Sequence, residues 1–278
     1  MRPYSSFVGI DLGGGRGKTT AIAELRSTAN GAEVLEVATR SAKLPWTDDT
    51  LGQRLAVPHR ERAIAIDAPL TATACQRCER PVCPGMEGCE DASVVWLRTE
   101  GRALIQKIAA ETVGGGPRMQ QHTAQVRLAP YAHRGTDVIL TYERGLVPLS
   151  ALGTTNGAIA ARARHLRKRL ATAGYALHEN LIEVSPQATV AALCGTRLAR
   201  GYKRDADPWR TRALVLEQLA DLTFALQSRM AREEVLGNDH CFDAVISAYT
   251  AYLWARDGWK HPGGHFTEDG WVVTPPNG

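Results

Sequence analysis

Phe7–Thr20, FVGIDLGGGRGKTT, places an acid at the end of an apolar run and follows it with glycines. A Walker A loop requires G-x-x-x-x-G-K-[ST], so that backbone N–H groups can wrap phosphate. Gly17, Lys18 and Thr19 supply its second half, but Leu12 stands where the first glycine belongs. The dinucleotide fingerprint G-x-G-x-x-G fails as well, because Gly13 and Gly15 are followed by Lys18 at the third glycine position. Both motifs also need a helix directly after the loop, whose N-terminal amides meet the anion. Here Thr20, Ile22 and Glu24 alternate with Ala21, Ala23 and Leu25, which is strand periodicity. The stretch therefore reads as a β-hairpin, Phe7–Asp11 in and Thr19–Leu25 out. Asp11 is either a turn-initiating Asp or one member of a site whose partners lie elsewhere.

Outward from the hairpin, Glu33–Thr39 (EVLEVAT) predicts a third strand after the Asn30-Gly31 turn. Thr47–Val57 predicts a short helix capped by Thr47 or Asp48 and stopped by Pro58. Arg62–Asp67 (RAIAID) is an apolar strand that ends in a second acid. The order β-β-β-α-β excludes Rossmann and flavodoxin sheets, which open βαβ. With 278 residues and 44% hydrophobic content, the chain can bury a large core. A net charge of +4 does not by itself imply nucleic acid. There is no secretory n-region or h-region and no apolar run near the roughly 20 residues that span a bilayer. These features predict a cytoplasmic protein with no membrane partner, whose 6 cysteines are reduced thiols.

At GID (9–11) and AIDAPL (65–70) the chain resembles the RNase H-like superfamily, and in particular the predicted-nuclease family catalogued as domain of unknown function 429. The resemblance implies a mixed sheet whose first strand carries an essential Asp and pairs in parallel with a later strand carrying a second acid. It extends to PYAHRGTDV (130–138), E-V-x-P (183–186) and GYKRDADPW (201–209). On that basis His133, Arg134 and Asp137 are site-edge candidates, with a solvated loop as the other reading. Lys203 and Arg204 are candidate phosphate contacts or plain surface. Actin-like ATPases and sugar kinases share this sheet, and their GIDLGG-T opening is similar to residues 9–14. Gly15 replaces their Thr, and no second D-x-G-T strand follows.

Cys75, Cys78, Cys83 and Cys89 follow the second acid in TACQRCERPVCPGMEGCE. A Cys-x2-Cys pair with two further thiolates suits a tetrahedral structural zinc, with an iron–sulfur cluster as the second choice and unrelated loop thiols as the third. Residues 71–92 are read as this cysteine-rich insert, and 91–178 as an irregular, partly helical region. Within it, Asp91–Thr112 has helical spacing broken at Gly101, Gly114–Pro117 is flexible, and residues 128–148 mix strand-like runs with charge.

Ala158–Ala173 predicts a helix with Arg162, Arg164, Arg167, Lys168 and Arg169 spread around an apolar stripe, either a phosphate-binding face or a solvated one. Tyr175–Val184 predicts a strand with Glu183 near its end, and Pro186–Cys194 a short helix. Asp207 and Pro208 cap a helix running to Met230, with Leu214, Leu219, Leu222 and Leu226 inward. In the last helix, Asp239–Ala255, Asp243 sits on an apolar face where an acid is costly unless paired or cation-bound. Asp239 reads as the N-cap, and His240 shares the face. Residues 259–278 read as a tail or a hairpin turning at Asp269-Gly270. In the resolvases of the superfamily, a similar D-A-[LV] segment of the final helix holds metal-binding carboxylates.

The expected architecture is a single α/β domain, residues 1–278, with an RNase H-like mixed sheet flanked by helices. The expected function is a divalent-metal-dependent nuclease. Asp11, Asp67, Glu183 and Asp243 would hold magnesium or manganese as the catalytic set, with Arg134, Lys203 and Arg204 on the nucleic-acid substrate. An ATP-dependent small-molecule kinase and a non-catalytic, metal-stapled nucleic-acid-binding module are the alternatives.

Overall fold

The computed structural model describes residues 2–14, 19–56, 61–111, 127–146, 157–226 and 232–276. Gly114–Pro117, expected to be flexible, and residues 227–230 of the expected long helix to Met230 lie outside the described residues. The strands, in chain order, are β1 (Ser6–Asp11), β2 (Ala21–Thr28), β3 (Gly31–Ala38), the two-residue pair β4 (Arg40–Ser41) and β5 (Leu44–Pro45), β6 (Arg62–Asp67), β7 (Leu181–Val184), β8 (Leu222–Phe224) and β9 (Val272–Val273). The helices are α1 (Asp48–Leu55), α2 (Ala74–Arg77), α3 (Gly85–Gly88), α4 (Ala92–Trp96), α5 (Arg102–Glu111), α6 (Gly135–Tyr142), α7 (Gly157–Thr172), α8 (Pro186–Cys194), α9 (Thr196–Arg204), α10 (Pro208–Gln218), α11 (Arg232–Gly237), α12 (Asp239–Asp257) and α13 (Phe266–Asp269).

Among the described residues, seven strands form one mixed sheet in the order β8-β3-β2-β1-β6-β7-β9. The meander β1–β2–β3 is antiparallel, whereas β6, β7 and β9 extend it in parallel from β1. β1 is central, so both of its faces must be apolar. Phe7 points into the layer beneath α12, and Val8 and Ile10 into the opposite layer beneath α1 and α7. The result is a helix–sheet–helix sandwich. No helix of the described residues is long and apolar enough to cross a membrane.

α12 is the thickest support of the sheet. Every residue from Cys241 to Ala255 is buried, so the helix is apolar almost all round, as an interior helix must be. The Asn238 side chain caps it by accepting the His240 and Cys241 N–H groups, and Gly258 ends it in the left-handed conformation at φ 68°. Asp239, expected as the cap, is instead the first helical residue.

Several expectations need correction. The helix begun at Asp207 and Pro208 stops at Gln218, and Leu222 joins β8, which pairs in parallel with β3. Leu214 and Leu226 are accordingly exposed rather than inward. The strand expected over Tyr175–Val184 is reduced to Leu181–Val184, because Tyr175–Asn180 forms a tight turn held by amides donating to the Ala176 carbonyl. The C-terminal segment is not a hairpin: α13 and Gly270 lead into β9, the parallel edge strand beside β7. The break at Gly101 is a π-helical turn, Leu97–Gly101, joining α4 to α5. Residues 135–142 form a helix and not a solvated loop.

Candidate metal centre

Asp11 and Asp67 are facing partners in the parallel β1–β6 ladder, both at the C-terminal ends of their strands. The third acid depends on a glycine. A methyl group on Gly9 would lie 2.0 Å from the Ala244 carbonyl oxygen and 2.3 Å from the Ala248 amide nitrogen. Only a residue without Cβ lets α12 settle on β1 this closely, and Asp243, one residue before Ala244, is thereby carried to the strand ends. Ligand atoms of Asp11, Asp67 and Asp243 all lie within 4.8 Å of one another, the one such group of three or more His, Cys, Asp or Glu among the described residues.

Burial and mutual repulsion are legible in the acids themselves. Burial raises Asp67 well above the ordinary carboxylate range, with Asp11 and Asp243 adding to the effect. Burial likewise pushes Asp243 up to about 6, opposed by the Lys203 ammonium. Lys203, on the last turn of α9, forms an ion pair with Asp243 Oδ2. Burial would lower Lys203, yet the negative charge of Asp243 and Asp67 outweighs it and holds the ammonium above its ordinary value. Asp243 Oδ1 is buried with no hydrogen-bond partner among the described residues. His240 Nδ1 lies 2.5 Å from Asp11 Oδ2, and that hydrogen bond raises the imidazole above its ordinary value. An all-oxygen carboxylate set with one orphaned buried oxygen suits a hard divalent cation such as magnesium or manganese.

Glu183 and Arg134 are placed differently from expectation. The Arg134 guanidinium is wholly buried and donates to Glu183 Oε1 at 2.7 Å, Glu183 Oε2 at 2.9 Å, Asp137 at 2.7 and 3.0 Å, and Thr71 Oγ1 at 2.9 Å. All of its donors are thus engaged, so it has none to offer a substrate. Glu183 also accepts the Leu70 N–H at 2.8 Å. The pair is an internal strut that ties β7 to the chain leaving β6, and Glu183 falls outside the carboxylate group. Asp269, expected in a turn, is fully buried and accepts the Gly135 N–H at 2.7 Å and an Arg77 N–H at 3.2 Å. Its only sequence signal is an acid beside a glycine, which also describes many surface turns.

Of the other candidates, Arg204 is exposed at the end of α9. His133 is bound locally, its Nδ1 accepting the Ala129 N–H at 3.1 Å. On α7, Arg162 donates to Asp48, Gly13 O and Thr20, Arg167 to Leu70 O, Arg169 to Asp49 and Arg164 to Gln76, while Lys168 is exposed. Much of that basic face is therefore used to hold α7 against α1 and the sheet. Cys75, Cys78, Cys83 and Cys89 are free thiols that line one pocket of about 600 Å³. Arg98 braces the segment by donating to the carbonyls of Met86, Glu87 and Cys89.

The family model described as "Protein of unknown function (DUF429)" matches residues 9–267. The chain belongs to this family. The matched span includes Asp11, Asp67, Lys203 and Asp243, and so the whole carboxylate centre. No curated protein and no solved structure matches the chain.

Proposed function

We propose that this chain is a divalent-metal-dependent phosphodiester hydrolase with an RNase H-like sheet. The observation that carries this reading is the convergence of Asp11, Asp67 and Asp243 within 4.8 Å, with Asp243 Oδ1 buried and unpaired. Three converging carboxylates repel one another, and a fold keeps such an arrangement where a cation compensates it. Bound magnesium or manganese would supply Lewis-acid polarisation of a phosphate oxygen and a water of lowered pKa.

The protein's own residues have distinct tasks in this scheme. Asp11, Asp67 and Asp243 hold the cation. His240 fixes the orientation of the Asp11 carboxylate through its hydrogen bond, as a neighbour of a ligating group commonly does. The Lys203 side chain is 43% exposed, so its ammonium, which sits beside Asp243 and 5.5 Å from the centre of the Tyr202 ring, can also reach a phosphate at the mouth of the site. The four-cysteine pocket belongs to the same proposal as a structural zinc site: no three of the sulfurs lie within 4.8 Å of one another, so zinc would have to draw the segment together, and four thiolates would leave no open position for chemistry.

The test combines calorimetric titration of magnesium and manganese with cleavage assays on single-stranded, duplex and branched DNA and on RNA. Asp11→Asn keeps the side-chain shape and removes one charge. It should abolish saturable metal binding at this site and cut cleavage by orders of magnitude. Wild-type affinity and cleavage in that variant would end this reading. Phosphoryl transfer from ATP to a sugar, without cleavage of any nucleic acid, would replace it with the kinase alternative.

A further inference from the structure

The rim of the carboxylate site carries a second pattern, which begins on α9. Tyr202 fixes this helix against the first turns of α12, its buried ring lying 5.2 Å, centre to centre, from that of Phe242. The opposite face of α9 is basic: Arg197, Arg200, Lys203 and Arg204 fall within one arc of about 120° at 3.6 residues per turn. Lys203 ends that stripe at Asp243, and Arg197 stands about 9 Å further back along the helix axis. Arg197, Arg200 and Arg204 are exposed, as is Arg210 in the first turn of α10, and none of their guanidinium groups has a partner among the described residues. On α7, by contrast, Arg162, Arg164, Arg167 and Arg169 are all engaged within the fold. The acids that follow α9 are occupied with α10: Asp205 Oδ2 accepts the Thr211 hydroxyl at 2.8 Å, and Asp207 Oδ1 accepts the Arg210 N–H at 3.0 Å.

Trp209 supplies an aromatic surface on the same rim. It is 56% exposed, and the covered edge of its ring lies on Gly237, where a Cβ would come within 3.0 Å of the indole. Gly237 directly precedes Asn238, the cap of α12, so Trp209 stands beside the turn that delivers His240 and Asp243. The stripe and the indole thus reach the carboxylate centre by two separate routes, one through Lys203 and one through the start of α12. A large aromatic side chain left in water beside unpaired guanidinium groups serves no packing role on its open face, and charge with an open ring face suits a polyanion that carries flat bases.

We propose that α9 and the start of α10 form a track for single-stranded nucleic acid, with an unpaired base stacked on Trp209 and backbone phosphates on Arg197, Arg200 and Arg204. The track leads the strand past Lys203 to the carboxylate centre. In a duplex the base faces are covered by their neighbours, so only an unpaired strand can offer a base to an exposed indole. The guanidinium groups meet phosphate and carry no sequence information, so the track accepts any base. Cleavage of the bound strand rests on the reading of the carboxylate site as a phosphodiester hydrolase, whereas binding does not require the metal.

The experiment is a fluorescence-anisotropy titration of the full chain into labelled oligothymidylate, oligouridylate and a DNA duplex of the same length, in chelator so that nothing is cut. Single strands should bind at least about tenfold tighter than the duplex. Trp209→Leu keeps an apolar group on Gly237 and removes the ring face, so it should weaken single-strand binding roughly 5- to 150-fold, the equivalent of one stacked base, and Trp209→Phe should restore most of it. Arg197→Gln with Arg200→Gln breaks no contact within the fold, so the melting temperature should hold while the slope of log affinity against log salt becomes shallower by about 0.7 for each phosphate released. The proposal is overturned if the duplex binds as tightly as the single strands, if folded Trp209→Leu binds them like the wild type, or if the double glutamine variant keeps the wild-type salt slope. Should Trp209→Leu fail to fold, the strand preference and the salt slope decide. Tight single-strand binding without cleavage in magnesium or manganese would remove the hydrolase reading and keep the track, and metal-dependent cleavage confined to duplexes would do the reverse.

Discussion

Replacing Asp243 by Asn should make the metal-free protein more stable at pH 8 and remove its response to divalent metal. Asp243 is 1% exposed and is pushed up to about 6 by burial, whereas in the unfolded chain it titrates near 3.8. Between those values the folded state holds a proton that the unfolded state has released, so stability falls as pH rises through this window. Above about pH 6 the penalty is complete and is on the order of 3 kcal/mol, from roughly two units at 1.36 kcal/mol each. Asn carries no such penalty at any pH. The Lys203 ion pair is already inside this figure, because its attraction is part of what holds Asp243 at about 6. The gain at pH 8 is therefore about 3 kcal/mol, or roughly 6–12 °C in melting temperature for a domain near this size. Thermal unfolding in chelator from pH 4 to 8 should show a falling curve for the wild type and a flatter one for Asp243→Asn, the two converging toward pH 4. Adding manganese at a hundredfold excess over its dissociation constant should stabilise the wild type by about 2.7 kcal/mol and leave the variant unmoved. An Asp243→Asn protein less stable than wild type at pH 8 in chelator, or equally stabilised by manganese, would refute the argument.

Four further outcomes are expected. Gly9→Ala forces a methyl group into the α12 backbone, so it should destabilise by about 3 kcal/mol or more and weaken manganese binding, as read by chemical denaturation and calorimetry. Arg134→Met leaves Glu183 and Asp137 buried without their cation and should cost about 3–5 kcal/mol; denaturation of Arg134→Met combined with Glu183→Gln should recover part of the loss if the strut is what was broken. Protein purified under reducing conditions should contain one zinc per chain, and Cys78→Ser should lower stability more than metal-dependent cleavage; elemental analysis finding neither zinc nor iron would remove the site. Joint Ala substitution of Arg164, Arg167 and Lys168 should lower the slope of log affinity against log salt on duplex DNA by about 0.9 for each phosphate that is no longer neutralised, and an unchanged slope would make α7 a purely structural helix.

The central half of the sheet was legible because its signals are local. In β1 and β6, short β-branched and alanine-rich runs end in an acid and are bounded by Gly or Pro, so Arg62–Asp67 could be delimited to the residue. Helices with strong punctuation were equally readable: Pro186 at the first turn and Gly195 after the last define α8. The edges of the sheet were not. β8 has three residues and β9 two, and each exists because a distant strand offers it a parallel partner, β3 for one and β7 for the other. Leu214, Leu219, Leu222 and Leu226 carry helical spacing as well as any true helix does. A three-residue edge strand is too short for its period of two to compete with that pattern.

The same limit explains the candidate site. Asp67 and Glu183 have nearly the same local signature, an acid at or next to the end of an apolar strand and a proline two or three residues later. Position along the strand could not separate their fates, because both strand ends do converge: Ile66 and Glu183 are direct partners in the β6–β7 ladder. What separates them is a cation from elsewhere in the chain. Arg134 arrives on the loop before α6, takes both oxygens of Glu183, and holds Asp137 with its remaining edge. Asp67 has no bidentate guanidinium among the described residues; burial beside Asp11 and Asp243 raises it, the Lys203 ammonium offsets this only in part, and a proton or a bound cation would supply the rest. In the sequence, Arg134 and Asp137 read as site-edge residues or a solvated loop; their spacing of three residues, which the fold uses as a helix-start ion pair, was the signal that went unread. The useful rule is that a strand-end acid is a metal-ligand candidate only after the chain's arginines have been assigned, since one guanidinium with five donors can convert a catalytic-looking carboxylate into a strut.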